Sequence, residues 1–337
     1  MTAANPLTDL LAEKGVLLAD GATGTNLFAM GLEAGEAPEL WNESHPERID
    51  KLHRDFVDAG ADIILTNSFG GTRHRLKLHQ AQDRVFALNK RAAEIARAVA
   101  DRALRKVIVA GSVGPTGELL QPLGAMSYED AVAAFVEQLE GLKAGGVDVA
   151  WIETMSSPEE IRAAAEAASK VGLPFTFTGS FDTAGKTMMG LDPKDIHGVA
   201  GDIGGGPAAV GANCGVGASD ILSSLLDMTA ADPAAITIVK GNCGIPEFRG
   251  AEIYYSGTPP LMADYARLAR DAGAKIIGGC CGTSCEHLAA MRQALDDYTP
   301  GPRPTLGTIV ERIGPLRNKT AIESGGESTR ERRRRRT

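Results

Sequence analysis

The 337-residue chain reads as an α/β protein: a single (β/α)8 (TIM) barrel with a disordered basic C-terminal tail. Three observations carry that reading. Short apolar runs alternate with longer helical patterns along almost the whole body. The runs are continuous rather than alternating, as suits strands buried on both faces. Eight β-then-α units fit within roughly 290 residues, the span of one closed barrel. An open doubly wound sheet is the alternative, but its Gly-x-Gly-x-x-Gly loop is missing after the first run. The stretch Asp20-Gly21-Ala22-Thr23-Gly24-Thr25 approaches that pattern with nothing immediately helical behind it.

The runs, in order, are Val16–Ala19, Ile63–Leu65, Val107–Ala110, Val147–Ile152, Pro174–Thr178, Ala208–Gly211, Ile236–Val239 and Lys275–Gly278. Helix starts lie between them. Ser127 with Asp130, Ser157 before Pro158, and Asp192 before Pro193 have cap and first-turn chemistry. Arg91–Leu104 and Ala131–Lys143 are Ala-rich helix formers. Residues 1–300 form the barrel and 301–337 an extension that is disordered at its end.

Composition narrows the function. A hydrophobic content of 43% with 23% charged residues describes a globular chain with ample core. No run reaches the ~18 apolar residues of a membrane span. Met1 to Lys14 carries acids and lacks a continuous apolar stretch, which argues against secretion. Five cysteines, an odd count with a vicinal pair, make no disulfide framework, so a cytoplasmic location is expected. From Gly301 onward ten Lys/Arg face four Asp/Glu, a net of +6, so the overall −8 leaves −14 on the body. Such a body is no partner for nucleic acid through a broad basic face. Arg332 to Arg336 close a solvated tail suited at most to an acidic partner.

Three cysteines carry the chemistry. Cys214 and the pair Cys280-Cys281 each follow an apolar run and sit among small residues. Vicinal Cα atoms lie ~3.8 Å apart across a trans peptide, below the roughly 4.4–6.8 Å of a relaxed disulfide. Three converging thiolates suit a soft cation, zinc above all, and leave one tetrahedral position open, as in a catalytic site. The plainer alternative is three small buried core residues. Asp20, Thr66, Ser112, Glu153, Cys214, Cys243, Cys280 and Cys281 all fall at C-terminal strand ends, where barrel enzymes gather their chemistry. Cys285 opens the last helix, and the scattered histidines offer no ligand pair.

Taken together, Asp20-Gly21-Ala22-Thr23-Gly24-Thr25, Thr66-Asn67-Ser68-Phe69, Gly111-Ser112-Val113-Gly114-Pro115-Thr116, Glu153-Thr154, Asn213-Cys214 and Gly278-Gly279-Cys280-Cys281-Gly282-Thr283 resemble the zinc-dependent homocysteine S-methyltransferases, in order and over about Leu17 to Leu295. The resemblance implies a (β/α)8 barrel, Zn2+ held by Cys214, Cys280 and Cys281, and homocysteine as methyl acceptor, with methionine as product. It implies Asp20 and Glu153 as anchors for the substrate ammonium and backbone amides of Ser112 and Val113 for its carboxylate. Thr66 and Gly21 complete the substrate site, Gly21 through close backbone approach. Asn213 is expected either at the sulfurs or, more simply, bonded to a neighbouring loop. Cys243 stands where many relatives carry Ala.

The methyl donor is the open term. Gly70 follows Phe69 where the betaine enzymes carry Tyr, and aromatics make up only 5% of the chain, a small supply for a cation–π cage. Trp41, Tyr254 and Tyr255 are the candidate walls. The Thr66–Phe69 and Ser112–Gly117 stretches look more like the homocysteine module of corrinoid-dependent methionine synthase. Because no corrinoid- or folate-binding region is visible, a methylcorrinoid donor would come on a separate protein. Betaine or another onium compound is the alternative donor. A metal-free thiol redox protein and a non-catalytic zinc subunit are the remaining classes.

Overall fold

The computed structural model describes residues 5–244, 246–249 and 252–318. Eight parallel strands form the barrel: β1 Leu17–Leu18, β2 Ile63–Leu65, β3 Ile108–Val113, β4 Val149–Met155, β5 Phe175–Gly179, β6 Ala209–Cys214, β7 Thr237–Gly241 and, after the antiparallel hairpin β8 Pro246–Arg249 and β9 Glu252–Tyr255, β10 Ile276–Gly279. Their order is β1-β10-β7-β6-β5-β4-β3-β2, and a bridge from Ala19 to Ile63 brings the first and last strands together. Each predicted run coincides with one strand.

Side chains alternate between the barrel interior and the helices outside. The lower interior is apolar: Leu17, Ile63, Ile108, Val149, Ala209, Ile238 and Ile276, with Trp151 above them. Leu7, Leu10 and Leu11 of the helix Pro6–Lys14 pack into the same cluster. Leu18, Ile64, Val109, Ala150, Ile152, Val210, Val239 and Ile277 face the outer helices. Two residues further along the inward rows, apolar side chains give way to polar ones. Ala110 leads to Ser112, Trp151 to Glu153, Ile238 to Lys240, and Ile276 through Gly278 to Cys280. The barrel is therefore a dry plug with a polar upper layer, and that layer is the site's floor.

Several helix starts behave as read. Ser127 Oγ accepts from the Asp130 amide and Ser157 Oγ from the Glu160 amide, capping Tyr128–Ala144 and Pro158–Val171. Asp192 differs. Between β5 and β6 there is only a 3-10 turn, Pro193–Gly198, with no side-chain cap, and Asp192 pairs with Lys186 instead. Gly198, Gly201, Gly204, Gly205 and Gly206 make that stretch too costly in backbone entropy for a helix. The Asp20–Thr25 stretch also corrects the reading, since a short helix, Gly24–Ala29, starts within it. Asn26 Nδ2 ties that helix to the carbonyls of Ala22 and Thr283.

Beyond residue 300 the helix Leu306–Ile313 buries Ile309 against Ala218–Ala231 and Pro259–Asp271. The Asp220 carboxylate then accepts the amides of Arg317 and Asn318. The expected disorder at the end of the tail falls on residues 319–337, outside the described residues. No helix among the described residues is long and apolar enough to cross a membrane.

Candidate metal centre and substrate site

Cys214 ends β6, and Cys280 and Cys281 follow β10; the pairing of β7 with both strands brings the two segments together. Their three sulfurs lie within 4.8 Å of one another. Cys214 has φ +62 and Gly215 φ +73, so two left-handed residues turn the chain sharply where β6 stops. On the other side the Cys280 amide donates to the Gly241 carbonyl at 2.7 Å. Asn242 straps the halves: its Oδ1 accepts the Cys281 amide at 3.1 Å, and its Nδ2 donates to the Gly215 carbonyl at 2.8 Å.

The sulfurs interact directly. Hydrogen bonds from Cys214 and then Cys280 pull the Cys281 thiol down to about 3, while Cys214 is pushed up, first by its bond to Cys280. The Tyr255 hydroxyl, carried by the β8–β9 hairpin, adds a bond to Cys281. The donor set, three soft sulfurs on a half-buried floor with no fourth protein ligand among the described residues, fits a thiophilic divalent ion with an open position. Cys243 is fully buried and outside the cluster.

Beside the sulfurs lies the acidic part of the polar layer. Asp20, just past β1, is buried, with Oδ2 accepting the Leu65 amide and Oδ1 accepting Lys240 Nζ, each at 2.7 Å. Glu153 accepts the Ser112 hydroxyl. Burial pushes Glu153 up to about 7 against the opposing pull of Lys240. Burial works against the charge on Lys240 as well, but Asp20 and Glu153 more than offset it and hold the ammonium above its ordinary value.

Thr66 and Ser112 form one network. Thr66 Oγ1 contacts Ser68 Oγ at 2.6 Å and accepts the Ser112 amide at 3.0 Å, while Ser68 donates to the Ser112 carbonyl. The Ser112 amide is thus engaged inside the protein, and Ser112 reaches the site through its hydroxyl. Val113 is fully buried among the outer core residues. Gly21 allows a close approach: a Cβ there would stand 2.5 Å from the Thr283 carbonyl oxygen. Asn213 bonds to the neighbouring strands β4 and β5 rather than to a loop. It ties Thr154 and Thr178 together, and its Nδ2 also stands 3.8 Å from the Cys280 sulfur.

The family model described as homocysteine S-methyltransferase matches residues 17–295. The chain belongs to the homocysteine S-methyltransferase family. Among curated members it is 28% identical to a methionine synthase of Mycobacterium leprae (strain TN) and 29% identical to one of Mycobacterium tuberculosis (strain ATCC 25618 / H37Rv), over 96% of this chain in each case. It spans only 28% of the length of those relatives. Among solved members, the metallated form of the homocysteine methyltransferase MmuM from Escherichia coli matches with a TM-score of 0.71 at 26% identity, covering 86% of this chain and 99% of that one. Its oxidized form matches with a TM-score of 0.72 at 27% identity, covering the same shares.

Sequence reasoning passed over Lys240 and Asn242, and took Tyr255 for a cage wall where the structure sets it beside Cys281. Lys240 had a signal: a lysine directly continuing the apolar run Ile236–Val239 must find a buried partner. Asn242 had another, since Asn213-Cys214-Gly215 and Asn242-Cys243-Gly244 repeat one tripeptide at the ends of neighbouring strands. Both asparagines brace the site, but only the first cysteine joins the cluster.

Proposed function

We propose that this family member is a zinc-dependent enzyme that transfers a methyl group to homocysteine and forms methionine, taking the methyl from a methylcorrinoid carried by a separate protein. The observation that carries the reading is the convergence of Cys214, Cys280 and Cys281 beside the buried carboxylates of Asp20 and Glu153. A zinc ion on three cysteine sulfurs would lower the pKa of an incoming thiol and present it as a thiolate.

The chain's own residues position the acceptor. Asp20 and Glu153 supply negative charge for an α-ammonium, and the Ser112 hydroxyl fixes the orientation of Glu153. The Ser112–Val113 end of β3, backed by Thr66, borders the place of the substrate carboxylate. Gly21 keeps the floor low enough for Thr283 to close it. With its amino-acid end anchored, the acceptor lays its sulfur toward the cysteines. A sulfur–carbon bond forms as the donor's bond to the methyl carbon breaks, the donor keeping the electron pair and the thiol proton leaving to solvent. Positioning and desolvation are the protein's contribution.

The donor assignment is supported by local packing. Trp41 is 4% exposed, edge-on to His45 and with Arg48 over its ring at 4.8 Å, so it offers no free face for an onium cage. The Glu39 carboxylate accepts the Gly70 amide, and a Cβ at Gly70 would stand 2.9 Å from it, so the tyrosine of the betaine pattern would displace that carboxylate. The similarity to methionine synthases over 96% of the chain supports methionine as the product. The test incubates the purified zinc-loaded protein with homocysteine and, in turn, methylcobalamin or betaine, and measures methionine. Product with methylcobalamin alone supports the assignment; turnover with betaine alone overturns it.

A further inference from the structure

Lys240 is a buried cation inside a site whose expected substrate end is also a cation. It is 2% exposed, and its Nζ lies 2.7 Å from Asp20 Oδ1 and 6.0 Å from the centre of the Trp151 ring beneath it. The fold makes room for this side chain. Gly278 sits directly opposite Lys240 in the β10–β7 register, and a Cβ there would stand 3.0 Å from Lys240 Cγ. A lysine that sits on the inward row of a barrel strand, with a glycine facing it, is built in rather than tolerated.

We infer that Lys240 is a positioning residue that divides the labour of the two site carboxylates. It takes Asp20 as an internal partner and leaves Glu153 as the group that receives the substrate ammonium. This assignment rests on the homocysteine reading above. Both Asp20 oxygens already accept a strong hydrogen bond, one from Lys240 and one from the Leu65 amide, and the side chain is 1% exposed. Glu153 is more open, at 8%, and among the described residues its side chain has a single protein partner, the Ser112 hydroxyl.

The charge count agrees. With both carboxylates ionised, as a bound ammonium favours, Asp20, Glu153 and Lys240 together carry −1, which that ammonium neutralises. Without Lys240 the same floor would carry −2 beside the cysteine cluster, and without Asp20 the lysine and the substrate ammonium would face each other unshielded. A buried cation left without its partner is strongly unfavourable. Asp20 therefore acts on the substrate through Lys240, by neutralising it.

The test is calorimetric binding of homocysteine, and of 4-mercaptobutanoate, which lacks the amino group, to the zinc-loaded full chain. The proteins are wild type, Asp20→Asn, Lys240→Met, the double variant Asp20→Asn/Lys240→Met, and Glu153→Gln, with circular dichroism as a check on folding. Asp20→Asn is expected to lose about 30-fold or more in homocysteine affinity, because the lysine is left unpaired. The double variant is expected to recover to within about threefold of wild type, since both charges have gone. Glu153→Gln is expected to bind homocysteine no better than 4-mercaptobutanoate. A double variant as weak as Asp20→Asn would mean that Asp20 holds the ammonium itself, and would overturn the assignment. Retained preference for homocysteine in Glu153→Gln would overturn it independently, should the double variant not fold. Wild-type protein that binds neither thiol would overturn the homocysteine reading, and this assignment with it.

Discussion

Asn213 Oδ1 lies 2.7 Å from the amide of Thr154 on β4, two strands away, and holds that residue at φ +62. The same oxygen accepts the Thr178 hydroxyl, and Asn213 Nδ2 donates to Thr154 Oγ1. Because Asn213 precedes Cys214 and Thr154 follows Glu153, one side chain links the sulfur that begins the cluster to the carboxylate beside it. Two left-handed non-glycine residues, Cys214 and Thr154, are thereby held in conformations that cost about 1–3 kcal/mol each.

Asn213→Ala should therefore disturb both halves of the site. It leaves the half-buried Thr154 amide without its partner, a loss of about 1–3 kcal/mol in stability. It also lets Glu153 and Cys214 drift. We expect kcat/KM for homocysteine to fall by about 100-fold, the scale set by a small misplacement of reacting groups. Chemical denaturation and steady-state kinetics measure the two effects separately.

The cysteines should separate by metal content. Wild type is expected to carry about one zinc per chain. Cys214→Ala and Cys281→Ala should lose it, while Cys243→Ala, outside the cluster, should keep it. Elemental analysis of dialysed protein decides. A strong chelator should abolish activity in wild type, with re-addition of zinc restoring it. Loss of zinc in Cys243→Ala would show that the fourth cysteine is a ligand.

Gly21 gives a test of the floor. An added methyl would meet the Thr283 carbonyl at 2.5 Å and the Phe56 ring at 2.8 Å. The carbonyl is backbone and cannot swing aside, so the loop carrying Cys280 and Cys281 has to shift. Gly21→Ala is expected to lose about 1–3 kcal/mol of stability and to bind zinc more weakly, measurable by competition with a metallochromic chelator.

His53 makes stability depend on pH. It lies on the buried face of the helix Pro46–Asp58, with neither ring nitrogen hydrogen-bonded among the described residues. Burial lowers it from 6.5 to about 4. The unfolded chain thus takes up a proton near pH 6.5 while the folded protein stays neutral down to about pH 4. Stability from this group is present above pH 6.5 and drains away as pH falls towards 4, with a slope of up to about 1.4 kcal/mol per pH unit. His53→Leu should flatten the acid limb and raise Tm at pH 5, as thermal melts across pH 4–8 would show. An unchanged acid limb would assign the loss to other groups.

Much of this was legible because it is local. A strand buried on both faces needs an unbroken apolar run, and Ile63–Leu65 or Ile238–Val239 announces itself within a few residues. Cys280 and Cys281 are adjacent, and both cysteine segments carry small neighbours. Ser127 and Ser157 cap helices through bonds that span three residues. Asp192 misled because the local cap signal was outweighed by the glycines that follow it.

By itself the sequence determined the eight-strand barrel, the polar strand ends and the three cysteines, since periodicity, propensity and residue chemistry act over short stretches of chain. Only the tertiary structure decided which of those residues meet. Lys240 reaches Asp20 across 220 residues, and Asn242 joins the Cys214 loop to the Cys281 loop across the barrel mouth. Such pairings follow from closure of the sheet and its register. A buried charge takes as its partner the opposite charge that the closed barrel sets beside it.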